Sequence, residues 1–215
     1  MKRVFLAALL APLALLALLA LVTSAALAQE KPSDPAGPKP GQQVSPEQMD
    51  AMMKQAQQMA APAEQHKRLA KREGKWKVSG KFIMPGAPPM TFTGTSDAKM
   101  ILGGRFLQIN GKAQAANPAM SSESLTVIGF DKRTGKYTLW SVDTYGTYSI
   151  SATGDWDEAT KTVTYVGENE EPGMGKVPFK FVSRTIDDAH YTLELHMQFP
   201  GMGWHKMMEA THEKV

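Results

Sequence analysis

Cysteine is absent from this chain of 215 residues. That excludes disulfides, thiol nucleophiles, thiolate metal sites, iron–sulfur clusters and lipidation of a cysteine, so the fold must rest on its core alone. A folded domain of about 140 residues is large enough for that. A basic block is missing as well. The formal charge of +3 comes from 24 Lys and Arg against 21 Asp and Glu, and without Lys2 and Arg3 the balance is 22 against 21. A near-neutral chain has no electrostatic footprint for nucleic acid, which excludes it as an expected partner. The usual catalytic signatures are missing too: there is no Gly-x-Ser-x-Gly elbow, His-Glu-x-x-His or phosphate-binding glycine loop. No motif assigns a cofactor, and no residue is assigned a catalytic role.

What is present begins with Met1-Lys2-Arg3, an apolar, charge-free run over residues 4–22, and the small residues of Ala26-Leu27-Ala28. This is the pattern of a signal peptide over residues 1–28, and it predicts a periplasmic or secreted protein. The apolar run is also long enough for an uncleaved anchor, since about 20 apolar residues span a bilayer. Cleavage after Ala28 is the preferred reading and leaves no membrane span in the mature chain. Residues 29–45 carry Pro32, Pro35, Pro38 and Pro40 among polar residues, as a disordered linker does. Ser45-Pro46 then opens a Met-rich amphipathic helix over residues 46–61, ended by Pro62. A second short helix is expected over residues 63–72, with His66, Leu69 and Ala70 on one side.

From Lys75 the period changes to two. Trp76, Val78, Gly80, Phe82 and Met84 alternate with polar residues, and Tyr148, Ile150, Ala152, Gly154 and Trp156 alternate with Thr147, Ser149, Ser151, Thr153 and Asp155. Such alternation marks antiparallel strands with one wet face. Ten strands are expected, with Asp131 to Gly135 and Asp157 to Lys161 as hairpin loops. A meander that long avoids exposed edges by closing, so the expected fold is all-β: an antiparallel, up-and-down, lipocalin-like barrel of about ten strands over residues 62–215, behind a short helical segment. A two-sheet sandwich is the alternative architecture.

The set His66, Leu69, Gly74-x-Trp76, Leu102-Gly103-Gly104-Arg105-Phe106, Gly129-Phe130-Asp131, Trp140, Asp143, Gly146 and Gly154 resembles a bacterial family of unknown function, numbered fifteen-seventy-nine. The resemblance covers about residues 62–215. It implies the domain limits and the barrel, and it transfers no catalytic residue. Phe130 stands where that family more often has tyrosine.

Three residues are candidates for ligand binding. Arg105 follows two glycines that permit a sharp turn, and it could hold a carboxylate by two parallel hydrogen bonds; a tight hairpin with a solvated arginine is the other reading. Trp140 alternates with Leu139 and would either line a pocket or fill the core. His196 could meet His205 across a hairpin and, with Glu194 or Glu209, approximate a zinc or haem-edge site, against its reading as a polar residue on the wet face. No metal site is assigned. Met49, Met52, Met53 and Met59 could bind copper(I), but their helical spacing favours an apolar docking face. The crowded acids Asp155, Asp157 and Glu158 do not match a calcium loop.

The leading expectation is a secreted barrel that binds one small, mostly apolar molecule, with Arg105 on its polar head and Trp140 in the pocket wall. One alternative is a solid barrel acting as a structural or protein-interaction module through the helix at residues 46–61. The other is a hydrolase or isomerase that uses the histidines.

Overall fold

The structure, a computed structural model, describes residues 44–215. The expected signal peptide and nearly all of the expected linker lie outside the described residues. Two helices, α1 (Pro46–Ala60) and α2 (Glu64–Ala70), precede ten strands. These are β1 (Gly74–Phe82), β2 (Met90–Ile101), β3 (Phe106–Ala115), β4 (Ser122–Asp131), β5 (Lys136–Asp143), β6 (Ser149–Asp157), β7 (Thr162–Glu171), β8 (Gly175–Thr185), β9 (His190–Phe199) and β10 (Gly203–Lys214).

Each strand pairs antiparallel with its sequence neighbour, and β10 returns to β1 through pairs such as Val78 with His212, so the sheet closes as a barrel. Closure leaves no edge among these strands. The apolar set of most strands points inward, as the alternation requires, whereas β4 turns Ser124 and Thr126 inward beside Ile128. Trp76, Leu107, Tyr137, Tyr165 and Phe179 are all buried in one core. The polar set of β9, Thr192, Glu194, His196 and Gln198, faces away from it.

Where the lumen is narrow, aromatic rings lie over glycines. A Cβ on Gly167 would come within 2.5 Å of the Phe179 ring, so only a glycine lets that ring fill the barrel.

In a meander, alternate loops gather at opposite ends. Residues 102–105, 132–135, 158–161 and 186–189 share one end with α2 and the start of β1. Residues 83–89, 116–121, 144–148, 172–174 and 200–202 share the other.

α2 plugs its end. His66 and Leu69 are its buried residues, and the His66 ring nitrogen Nδ1 accepts the Ala63 backbone N–H at 2.9 Å, closing the first turn as a capping side chain would. Burial, followed by the nearby Lys132, lowers the pKa of His66, consistent with a ring nitrogen that accepts. Arg68 donates to the Tyr137 hydroxyl at 2.9 Å and lies 4.2 Å from the centre of the Trp156 ring. α1 differs: none of its residues is buried, and Met49, Met52, Met53 and Met59 are open to solvent. No helix among the described residues is long and apolar enough to cross a membrane.

Candidate functional site

The barrel is not solid. A cavity of about 190 Å³ runs from the α2 end along the lumen to small residues at the other end. Its two long walls differ. β4 and β5 contribute Ser124, Thr126 and Ser141, whereas β7, β8 and β9 contribute Tyr165, Phe181, Tyr191 and Leu193. The Thr126 and Ser141 hydroxyls are 2.8 Å apart and satisfy one another. A flat apolar body lying against the aromatic wall would therefore keep its edge beside hydroxyls.

The floor is the polar part. Arg72, just past α2, reaches into the lumen and donates to the Ser183 hydroxyl at 2.9 Å and the Thr185 hydroxyl at 3.2 Å. Its guanidinium carbon lies 4.6 Å from the centre of the Tyr191 ring. The backbone of Arg72 is held in turn, because Trp76 Nε1 donates to its carbonyl at 3.0 Å. The His212 ring stacks on Tyr191 with centroids 4.1 Å apart and an angle of 11°. Among the described residues, His212 Nδ1 and Ser96 Oγ are the buried side-chain polar atoms with no hydrogen-bond partner, and both residues line this cavity. A buried polar atom left alone typically costs about 1–3 kcal/mol, so two at one floor call for a functional account.

The electrostatics leave Arg72 as the charged group of the floor. Desolvation, with the Arg72 charge behind it, holds the His212 pKa down to about 3, so the ring is neutral at physiological pH. Burial pushes the Tyr165 hydroxyl up, and the Tyr191 hydroxyl up to about 12, so both keep their protons.

None of the three residues singled out from sequence lines this cavity. Arg105 sits at the α2 end outside the lumen, where its Nε donates to the Ala60 carbonyl at 2.9 Å and its Nη1 to the carbonyls of Leu102 and Gly103. It ties the end of α1 to a turn in which Leu102, Gly103 and Gly104 all have positive φ. It also borders an open groove beside α1 with Met59, Phe130 and Lys132. Trp140 is 40 % exposed on the outer wall, while its neighbour Leu139 takes the inward position. His196 is outside too: its Nε2 lies 2.8 Å from Glu194 Oε2, and Lys206 donates to the other oxygen of that carboxylate at 2.6 Å. His205 pairs with Met197 rather than with His196, and its Nε2 lies 2.9 Å from the Met202 carbonyl, so the two histidines do not converge.

The residues that sequence reasoning missed did leave one kind of signal. Ser96 occupies an even, inward position between Gly94 and Ala98, and His212 occupies the inward position after Ala210. A polar residue interrupting the apolar face of a strand is the trace of a lumen that is not pure core. Arg72 left no such trace, because its reach depends on how α2 seats.

A closed antiparallel meander with a helical plug and an internal cavity is a lipocalin-like barrel, and this is the class to which fold and site assign the protein. The chain belongs to the family described as protein of unknown function (DUF1579), whose profile matches residues 61–214. Among solved structures, Rv2717c from M. tuberculosis is similar in fold, with a TM-score of 0.54 at 14% identity over 72% of this chain and 99% of that one. The S-type phycobiliprotein lyase CPES from Guillardia theta overlaps 71% of this chain and 93% of its own at 7% identity, with a TM-score of 0.49, too distant to carry an argument. No curated protein sequence matches the chain.

Proposed function

We propose that the barrel binds one small, mostly apolar molecule in its lumen. The observation that carries this reading is the cavity of about 190 Å³ whose floor holds two buried polar atoms without partners. The volume suits a body of about one ring, since a dry protein cavity of about 150 Å³ takes up benzene. The reading moves the polar anchor from Arg105 to the floor, and the aromatic wall from Trp140 to Tyr165, Phe181 and Tyr191. The cavity favours the carrier over a solid barrel, and the exposed methionines of α1 suit a docking role for the helix independently of the lumen. Export belongs to the same reading and rests on the residues before Gln29; an intact mass that begins at Gln29 after expression in a bacterial host supports it, and one that begins at Met1 counts against it.

The test is mass spectrometry of the purified protein under native and denaturing conditions, beside the variant Ser124→Phe, whose ring would occupy the lumen from the hydroxyl wall. A bound mass that is lost on denaturation and missing from Ser124→Phe supports the carrier. A bare chain that takes up no ring-sized compound overturns it.

A further inference from the structure

The floor of the lumen has a charge with no counter-charge. Arg72 bonds to Ser183 and Thr185, which are neutral hydroxyls, and to a tyrosine ring face. Among the described residues no carboxylate lies within ion-pair distance of it, although Arg68, one turn earlier on the plug, has Glu158 at 3.2 Å. A guanidinium has five N–H donors, and these two hydroxyls take one each. The neighbouring groups can donate: Ser96 and Ser183 carry hydroxyls, Tyr165 and Tyr191 keep their phenolic protons, and His212 is a neutral ring whose partnerless Nδ1 donates in the tautomer that carries its proton there. No acid lines the lumen itself; Glu64, Glu158, Asp187 and Asp188 border the groove on the outer side of Arg72, and none of them is within ion-pair distance of it.

We propose that the lumen selects a small monocarboxylic acid: the carboxylate seats on Arg72, with Ser96 and His212 in reach of its remaining lone pairs, and an apolar body of one ring lies along the aromatic wall. This deepens the carrier reading and rests on it. One guanidinium matches one negative charge. A phosphate dianion would leave a second charge uncompensated in a site walled by Tyr165, Phe181 and Leu193, where desolvation is costly. A neutral head would leave the Arg72 charge unmatched. The fork geometry of arginine suits a planar carboxylate, which can accept two parallel N–H bonds.

The experiment compares matched pairs, benzoate with benzamide and cyclohexanecarboxylate with cyclohexanecarboxamide, by isothermal titration calorimetry on the full chain at pH 7. The expected result is acid tighter than amide by about tenfold or more in both pairs. Arg72→Met should remove that preference, and Ser96→Ala, which takes away a hydroxyl beside the Tyr191 phenol, should weaken the acids several-fold without unfolding the protein. If Arg72→Met does not fold, Arg72→Lys serves: it keeps the charge without the fork and should lose most of the preference. Equal affinity for acid and amide in the unmodified protein overturns the carboxylate and spares the carrier. Failure of all four compounds to bind overturns both. Unchanged acid binding in Arg72→Met together with Ser96→Ala removes the assigned anchor.

Discussion

The two ends of the barrel are closed in different ways. At the α2 end a helix seats on the lumen, and Trp76, Leu107, Tyr137 and Tyr165 lie beneath it almost without exposure. At the other end there is no helix. Phe82 and Phe92, with ring centroids 4.7 Å apart, and Phe179 fill one side, while Ala113, Ser122 and Ser124 on the other side are too small to meet them. The loops of that end also expose Met84, Tyr148 and Met202, and the start of β10 exposes Trp204. Packing is therefore densest under the plug, and the cavity reaches the small residues of the far end.

The largest expected effect separates the packed end from the cavity. Leu107, with no exposed surface, should cost about 3 kcal/mol when cut to alanine, since its neighbours cannot collapse into the space. Leu193→Ala, in the cavity wall, should cost about half of that, because part of its surface already faces open volume. Urea unfolding of the two variants decides this, and equal losses would mean that the cavity is not a feature of the folded state in solution.

A second contrast is in pH. His212 titrates near 6.5 when unfolded but only at about 3 in the folded barrel, so acid protonates the unfolded chain first. Stability is then full above pH 6.5 and falls from there toward pH 3, by at most about 1.4 kcal/mol per unit from this group. His66 at the plug is lowered as well and acts in the same direction. The carboxylates follow later. Asp131, held down to about 2 by its hydrogen bonds from Arg133, stabilises the fold above its unfolded pKa near 4 and loses that contribution below it. His212→Phe keeps a ring to stack on Tyr191 and removes the titration. Thermal unfolding of this variant should therefore be flatter between pH 6.5 and 4 than that of the parent, and parallel curves would show that His212 is solvated after all.

How much of this was legible in the sequence follows the same division. The strands, their inward faces and the hairpin at Asp131 to Gly135 were readable because they are local: period two fixes a face, and an aspartate before a glycine fixes a turn. The site was not readable in that way. Arg105 drew notice because glycines precede it, and those glycines turned out to build a turn that the arginine itself holds. His196 drew notice as a histidine near another, but a bulge between Lys206 and Met208 and the pairing of His205 with Met197 set the two apart. Trp140 had apolar neighbours on both faces, and only closure of the barrel decides which face is inside. Arg72 is placed by the seating of α2 against Ser183, Thr185 and Tyr191, more than a hundred residues away, a long-range contact that no spacing encodes.

A smaller effect tests how the plug positions the floor. Trp76→Phe keeps an aromatic ring beside Tyr191 and removes the bond from Nε1 to the Arg72 carbonyl. The expected loss is about 1 kcal/mol of stability, with a weakening of acid binding that amide binding does not share. Equal weakening of both would mean that the tryptophan only supports the fold.

The smallest effect is expected outside the barrel. α1 buries none of its residues, and its end is tied to the strands' turns: Arg105 donates to the Ala60 carbonyl, and Lys132 to the carbonyls of Gln58 and Ala61. Both are exposed, charge-assisted contacts at a helix C-terminus, where cations complement the dipole by about 0.3–1 kcal/mol. Arg105→Ala should therefore leave the unfolding midpoint of the barrel within about 0.5 kcal/mol of the parent and leave acid binding unchanged, while hydrogen exchange along residues 46–60 becomes faster. The comparison turns on the unchanged binding: α2 closes the lumen and α1 does not, so loosening α1 must not reach Arg72. A loss of acid affinity in Arg105→Ala would return the anchor to Arg105 and place the ligand in the groove beside α1.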